Sequence, residues 1–300
     1  MKLVYDISEL IPYINWPYFF FAWQVKEQTE RDRLQREAEN MLDQLEGCYH
    51  AYGLFELFDA YSDGDDIVVF RGERTPPSQE EIARIPCLRQ QQGNPPYLCL
   101  SDFLIPLPPI NSRPTFHTPP SSKSSPSLKS SPSLKDSPSS TIGIFATSVD
   151  IGLETDFDAD PYQKMMAQLL ADRLAEAAAE RMHEQVRKEY WGYAKDENFS
   201  IPDMLVEKFQ GIRPAVGYPS LPDTSLNFVL DNLIDMKQIG IRLTESGAMK
   251  PHASVSGMMF AHPQARYFSI GKIGEDQLRD YARRRGLPIE LCRKFLASNI

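Results

Sequence analysis

The chain of 300 residues and 34.2 kDa can bury a full core in one large or two small domains. A net charge of −9 argues against nucleic-acid binding, which requires a basic surface. The apolar stretch Trp16–Trp23 is too short to span a bilayer, so we expect a soluble, cytoplasmic protein with no membrane partner. The cysteines form no Cys-x-x-Cys pair, which predicts reduced, mostly packed thiols and no metal site. They are Cys48, Cys87, Cys99 and Cys292.

Aromatic residues dominate the segment Tyr13–Trp23, where we predict a short helix. Asn15 is a plausible N-cap, and Pro17 suits the first helical turn. The simplest interpretation is that these rings are core aromatics beneath the helix. A second helix is predicted over Glu27–Glu46, because apolar residues recur there at helical spacing and Gly47 follows the last turn.

Strands are predicted at Leu54–Phe58 and Ile67–Phe70, on either side of an acidic turn at residues 63–66. A third strand, Ile142–Val149, follows a Ser/Pro/Lys-rich tract at residues 111–140 that repeats the unit Ser-Ser-Pro-Ser-Leu-Lys. This tract has too few large apolar residues to offset its ordering entropy, so we predict a disordered insertion within one domain. The insertion is either a neutral expansion or a site of phosphorylation or partner binding.

The longest helical pattern runs over Asp160–Tyr193 and has one apolar stripe. Asp172, Glu176 and Glu180 follow one another at four-residue spacing along the edge of this stripe. This row is either a solvated face, or it directs Asp172 and Glu176 towards a ligand or a partner protein. His183, on the same helix, is predicted to be a capped or surface histidine rather than a ligand.

The stretch Gly211–Pro219, which we call the ledge, combines a cation, two glycines, two prolines and a tyrosine. Each proline fixes its own φ and holds the preceding residue, Arg213 or Tyr218, in an extended conformation. Gly217 can take a positive φ or let a ligand approach the backbone. The pattern predicts a stiff, non-helical segment that suits a ligand with an anionic group at one end and a flat ring at the other. The alternative is an ordinary Pro/Gly turn whose arginine makes a structural ion pair.

The rest of the chain alternates helices and short strands. We predict a helix from the cap at Pro222–Ser225 to Ile239, strands at Ile241–Thr244, Val255–Phe260 and Tyr267–Gly271, and helices at Glu275–Arg285 and Pro288–Ala297. The small residues of Ala253–Gly257 suit a strand that lies close against a ligand or another backbone. The run Arg283–Arg285 is either a solvated helix end or a docking patch for an acidic flavoprotein.

Several segments, in this order, resemble the reactivation domain of cobalamin-dependent methionine synthase. They are Leu88–Gln91, Leu100–Phe103, Ala171–Ala177, Trp191–Ala194, Gln210–Pro219, Leu243–Ser246, Ala253–Gly257 and Asp280–Arg284. The most specific is an Arg-x-x-x-Gly-Tyr-Pro motif, met by Arg213, Gly217, Tyr218 and Pro219. The resemblance implies an α+β fold: a bent antiparallel β-sheet flanked by helices, in a single C-shaped domain over residues 1–300.

The resemblance also implies a binding site for S-adenosylmethionine (AdoMet). Arg213 would hold the carboxylate, Tyr218 and Tyr267 the adenosyl portion, and Asn15, which stands where relatives carry Asp, the amino group. Phe268 takes the second place of the family's Tyr-Tyr pair. The complete predicted set is Asn15, Arg213, Pro214, Ala215, Gly217, Tyr218, Tyr267 and Phe268, with Asp172 and Glu176 as a possible ligand or partner face.

The sequence has no catalytic triad, Walker loop, Rossmann fingerprint or cobalt-ligating Asp-x-His-x-x-Gly string. We therefore predict no catalytic residues in this chain, and contact with cobalamin only through a partner. By resemblance the chain binds AdoMet and reactivates cob(II)alamin on methionine synthase, with an electron from a flavodoxin-like donor. Because it begins at Met1 and has no other module, we expect action in trans on a separate synthase. The alternatives are a non-catalytic AdoMet sensor and an accessory to another corrinoid methyltransferase.

Overall fold

The computed structural model describes residues 1–71, 80–107 and 141–300. The helices are α1 Ile7–Leu10, α2 Trp16–Ala22, α3 Gln28–Leu45, α4 Gly152–Thr155, α5 Pro161–Gln185, α6 Ile201–Leu205, α7 Leu226–Ile234, α8 Glu275–Arg285 and α9 Ile289–Phe295. The strands are β1 Lys2–Tyr5, β2 Ala51–Asp63, β3 Asp66–Arg71, β4 Glu80–Pro86, β5 Thr141–Val149, β6 Arg242–Leu243, β7 Met249–Lys250 and β8 Ser254–Met259. The insertion predicted at 111–140 lies outside the described residues. None of the helices within these ranges combines the length and the apolar character that crossing a bilayer requires.

The main sheet is antiparallel and has the strand order β4-β3-β2-β5-β8, with β1 also paired to β2. Strand β5 pairs with residues 51–59 of β2. Strands β1 and β3 therefore share the other edge of β2, at residues 51–54 and 59–63. The predicted acidic turn closes the β2–β3 hairpin, where Gly64 takes a positive φ of 61°.

Strand β5 lies inside the sheet, and each of its residues is buried. Because successive side chains of a strand point to opposite faces, Phe145 joins the core that contains α5, whereas Ile144 and Ala146 join the core that contains α7. A smaller third core is formed with α8 and α9. The predicted arrangement of an antiparallel sheet flanked by helices is confirmed.

Helix α5 begins after Asp160, whose carboxylate accepts hydrogen bonds from the N–H groups of Tyr162 (2.8 Å) and Gln163 (3.4 Å). We expect Asp160→Ala to lower the free energy of unfolding by about 1 kcal/mol, because it removes the N-cap acceptor. Urea denaturation monitored by circular dichroism measures the change. Asp160→Asn keeps an acceptor and should retain most of the stability. An unchanged midpoint in the alanine variant would contradict this role for the cap.

Three predicted elements differ from the structure. Helix α5 ends at Gln185 and is followed by a π-helical turn, Val186–Tyr190, so it stops short of the predicted end at residue 193. Helix α7 ends at Ile234 because Asp235 takes a positive φ of 51°, and only a 3-10 turn continues to residue 239. The strand predicted at Tyr267–Gly271 is wrong, since that segment has an irregular backbone.

The run Arg283–Arg285 is not a uniformly solvated helix end. Arg284 pairs with Asp66 and also donates to the carbonyl oxygen of Cys87 (2.9 Å). Arg285 is nearly buried and lies 3.4 Å from the carboxylate of Asp223. Arg283 alone of the three remains largely exposed, so this run does not form a basic docking patch. Helical position could not reveal this, because the acidic partners at 66 and 223 are remote in sequence.

Candidate functional site

The ledge pairs with β8 as an added edge of the sheet. The N–H of Ile212 donates to the carbonyl oxygen of Phe260 (3.0 Å), and the N–H of Val216 to that of Ser256 (2.9 Å). Gly257 permits this approach, because a Cβ atom there would lie 2.2 Å from the carbonyl oxygen of Pro214. The close approach predicted for residues 253–257 is therefore to another backbone, and the pairing holds the ledge in a non-helical conformation.

Gly217 turns the chain near the end of the ledge. Its φ is +88°, which favours glycine, and its N–H donates to the carbonyl oxygen of Leu221 (2.8 Å). The next residue, Tyr218, is half-exposed and reaches the cavity described below. Gly217 itself is not part of the cavity wall, so its contribution to the site is conformational.

A cavity of about 580 Å³ lies between the ledge, the N-terminal aromatic segment and α5. Sites for small molecules typically have volumes of roughly 300–1,000 Å³. The wall contains every predicted ligand-binding residue except Gly217: Asn15, Arg213, Pro214, Ala215, Tyr218, Tyr267 and Phe268. Glu176 also lines the cavity, whereas Asp172 does not. Tertiary packing thus brings together residues that are up to 253 positions apart, from Asn15 to Phe268.

Arg213 makes an ion pair and keeps one donor unused. Its Nη2 donates to a carboxylate oxygen of Glu180, and the two side chains are only 11% and 14% exposed. Its Nη1 is buried without a hydrogen-bond partner among the described residues. Burial is the largest single effect and disfavours the charged guanidinium, but Glu180 together with Tyr267, Glu176 and Glu207 outweighs it, so the pKa of Arg213 is raised. The structural ion pair of the alternative interpretation is present, yet the arginine also lines a cavity.

Two acids of the α5 row hold the ledge in place. The hydroxyl of Tyr218 donates to Glu176 (2.8 Å), and Glu180, one turn later, binds Arg213. The solvated-face interpretation does not describe Glu180, because burial beneath the ledge raises the pKa of its carboxyl group. Burial also raises the pKa of Asp172, which lies one turn before Glu176.

Tyr267 and Phe268 line the cavity and are held by polar contacts rather than by a strand. The hydroxyl of Tyr267 accepts a hydrogen bond from the N–H of Arg213 (3.0 Å). The side-chain oxygen of Ser220 contacts both the N–H and the carbonyl oxygen of Phe268. The ring of Phe268 packs at 6.4 Å from that of Phe103. Phe268 therefore contributes its ring to the wall, while its backbone is held by Ser220.

Asn15 occupies the predicted N-cap position of α2, but its side chain makes no capping hydrogen bond. Its backbone carbonyl accepts from the N–H groups of Tyr18 (3.2 Å) and Phe19 (3.4 Å). Within the described ranges the side-chain amide of Asn15 has no hydrogen-bond partner. It is thus an available polar group on the cavity wall.

The wall also contains residues that the sequence did not single out, among them Tyr18, Arg173 and Glu207. Tyr18 belongs to the aromatic segment assigned to the core, yet it is 62% exposed and its ring lies 6.0 Å from the guanidinium of Arg173. Arg173 could have been found, since it precedes Glu176 by three positions on the same helix face. No pattern in the sequence around Glu207 would identify it as a residue of the cavity wall.

His183 is fully buried, so the prediction of a capped or surface histidine is wrong. Neither ring nitrogen has a hydrogen-bond partner among the described residues, and the ring meets Phe209 edge-on at 5.0 Å. Burial, together with the charges of Arg187 and Arg213, lowers the pKa of His183 well below its usual range. The loop between α6 and the ledge covers this part of α5, which the helical pattern alone could not show.

Comparison with known proteins identifies the family of the chain. Residues 6–286 match the family described as the vitamin B12-dependent methionine synthase activation domain. A solved structure, the MetH reactivation domain bound to AdoHcy, is similar with a TM-score of 0.84 and 35% sequence identity. The match covers 100% of this chain and 90% of that one. The chain therefore belongs to the activation-domain family of vitamin B12-dependent methionine synthases.

Proposed function

We propose that this protein binds AdoMet in the cavity between the ledge and α5. The family and the AdoHcy-bound relative support this ligand class. The observation that carries the proposal is the Nη1 atom of Arg213, a buried donor without a partner among the described residues, on the wall of a cavity of suitable volume. A buried guanidinium donor without a partner is costly, and a ligand carboxylate would satisfy it.

The proposed roles follow from the free groups on the wall. Arg213 binds the ligand carboxylate through Nη1, while Glu180 holds its other terminal nitrogen. The amide oxygen of Asn15 accepts from the ammonium group. The rings of Tyr218 and Tyr267 contact the adenosyl portion, because the hydroxyl groups of both already bind protein atoms.

The remaining members of the predicted set shape the site. Pro214 and Ala215 present the ledge backbone, Phe268 closes the wall with its ring and main chain, and Gly217 sets the turn. Asp172 lies outside the wall, so we assign it to a face that meets the partner protein.

In this proposal, AdoMet supplies a methyl group activated by the sulfonium charge, and the chain positions that group for transfer to cobalamin on methionine synthase. The chain contributes orientation and no acid–base chemistry. Cobalamin on the synthase would accept one electron from a flavodoxin-like donor and would be the acceptor of the methyl group, while Arg213 and Asn15 of this chain would hold the amino-acid portion of AdoMet. We propose that this can occur in trans and in the cytoplasm, where an exposed free thiol such as that of Cys48 remains reduced.

The test combines binding and turnover. Isothermal titration calorimetry with AdoMet should give a saturable, one-site isotherm. The protein is then added to a cob(II)alamin-loaded methionine synthase that lacks its own activation domain, with AdoMet, flavodoxin and its reductase. We expect the visible spectrum to convert to that of methylcobalamin only when all components are present. The matched controls omit AdoMet, or omit this protein.

The alternatives predict different outcomes of the same test. A sensor would bind AdoMet but would neither convert the spectrum nor form a complex with the synthase in a pull-down. An accessory to another methyltransferase would form its complex with a different corrinoid protein. Absence of AdoMet binding would contradict all three.

A further inference from the structure

Two free thiols that are distant from the ligand cavity's predicted residues in sequence meet in the interior. Cys87 and Cys99 are 2% and 0% exposed, and their side chains are in hydrogen-bond contact. Both also approach the carbonyl oxygen of Asp65, which accepts from the N–H of Cys87 (2.9 Å) and lies 3.9 Å from the sulfur of Cys99. The packed thiols expected from the sequence therefore include a contacting pair, which the spacing of the cysteines did not reveal.

Backbone pairing holds the two cysteines side by side. Strand β4 ends at Pro86, and an antiparallel bridge then joins Arg89 to Cys99. The N–H of Gln90 donates to the carbonyl oxygen of Leu98 (3.0 Å), and the exposed residues 91–97 form the tip of the loop between them. Because the two ends of this loop are already adjacent, the thiols can reach disulfide geometry with little movement of the main chain.

The two thiols differ in acidity. Burial disfavours the thiolate of Cys99, but hydrogen bonds from Cys87 and from the hydroxyl of Ser101 (3.2 Å) outweigh it, so the pKa of Cys99 is lowered. The hydrogen bond to Cys99, together with burial, raises the pKa of Cys87 well above its usual range. Cys99 is therefore the sulfur that ionises more readily, and the thiolate is the form that oxidants attack.

The loop between the two cysteines connects the sheet to α8 and to the cavity wall. The side-chain amide of Gln90 donates to the carbonyl oxygen of Ser269 (2.8 Å), the residue after Phe268. On α8, the side chain of Gln277 exchanges two hydrogen bonds with the main chain of Arg89 (2.7 and 2.9 Å). A covalent link at the base of this loop would restrain both α8 and the segment that carries Phe268.

We propose that Cys87 and Cys99 form a redox-responsive dithiol that closes to a disulfide when a peroxide oxidises it. The Cys99 thiolate attacks one peroxide oxygen, the O–O bond breaks, and a sulfenic acid and one water form. The sulfur of Cys87 then attacks the sulfur of Cys99, and the hydroxyl group leaves as a second water with the Cys87 proton. Two thiols and one hydrogen peroxide thus give one disulfide and two waters, and a thiol reductant reverses the change. A peroxide is small enough to enter when the exposed loop opens locally.

The test treats the reduced protein with hydrogen peroxide, blocks the remaining thiols with iodoacetamide and maps tryptic peptides without reduction. Trypsin cleaves after Arg89, between the two cysteines, so only a disulfide can join their peptides. We expect a linked Cys87–Cys99 pair that dithiothreitol separates. Cys99→Ser should abolish the link, whereas Cys48→Ser removes the exposed thiol and should leave the link unchanged. In Cys87→Ala, Cys99 should accumulate as a sulfenic acid that dimedone labels.

Thermal unfolding gives a second readout, in which each protein is compared with its own reduced form. Oxidised wild type should unfold about 4 °C above reduced wild type, because a disulfide restrains the unfolded chain. Cys99→Ser should show no such shift. Separate alkylation of Cys87 and Cys99 after peroxide treatment would overturn the proposal. Recovery of Cys99 only as sulfinic or sulfonic acid, or a link to Cys48 or Cys292 instead, would overturn it as well.

Discussion

Replacing Arg213 with alanine is expected to weaken AdoMet binding by about 1.5–3 kcal/mol, the range for a hydrogen bond to a charged group. The substitution removes the Nη1 donor from the cavity wall and also removes the partner of Glu180. The carboxylate of Glu180 would then lie near the ligand carboxylate and repel it. Isothermal titration of wild type and variant measures the difference, and equal affinities would exclude Arg213 from the site.

A double variant separates the two causes. If the loss comes from the missing donor, Arg213→Ala combined with Glu180→Gln should bind AdoMet as weakly as Arg213→Ala alone. If the loss comes from the unpaired Glu180, the double variant should recover affinity. Arg173→Ala is the matched control, because it removes another guanidinium from the same wall. The guanidinium of Arg173 lies over the ring of Tyr18. Arg173→Ala should weaken AdoMet binding less than Arg213→Ala does.

Replacing Glu197 with alanine is expected to lower the free energy of unfolding by about 3–5 kcal/mol, because it leaves a buried charge without its partner. Arg187 is fully buried, and its Nη2 donates to the 4%-exposed Glu197 at 2.5 Å. The guanidinium also lies 3.9 Å from the centre of the Phe209 ring. This pair ties the π-helical turn after α5 to the loop before α6, and the contact with Phe209 reaches the loop that leads into the ledge, so AdoMet affinity should fall as well.

Urea denaturation followed by tryptophan fluorescence gives the change in stability. Arg187→Met combined with Glu197→Leu removes both charges and should lose less stability than Glu197→Ala. Arg293→Ala breaks the exposed pair with Glu275 and should leave the denaturation midpoint unchanged within error. A Glu197→Ala midpoint as close to wild type as that of Arg293→Ala would show that the buried pair does not hold the loop.

Local patterns predicted most of the scaffold. The start of strand β5 was predicted within one residue, and both ends of α8 were predicted correctly. These boundaries depend on runs of apolar residues and on helix caps, which are properties of neighbouring positions. The ledge was also predicted as non-helical, since proline and glycine restrict or free the backbone locally. The helix at α7 was predicted to continue to Ile239, beyond its actual end at Ile234, because a positive φ at Asp235 leaves no distinctive pattern.

The sequence by itself determined the family, predicted strands β2, β3, β5 and β8 and the main helices, and supplied a set of candidate residues for AdoMet. Only the tertiary structure decided which of those residues meet in one cavity and which distant side chains hold them. Glu180 beneath Arg213, His183 beneath Phe209 and Glu207 on the cavity wall all depend on contacts between segments far apart in the chain. Periodicity reports only which face of an element is apolar, so it cannot reveal the partner that covers a polar group on that face.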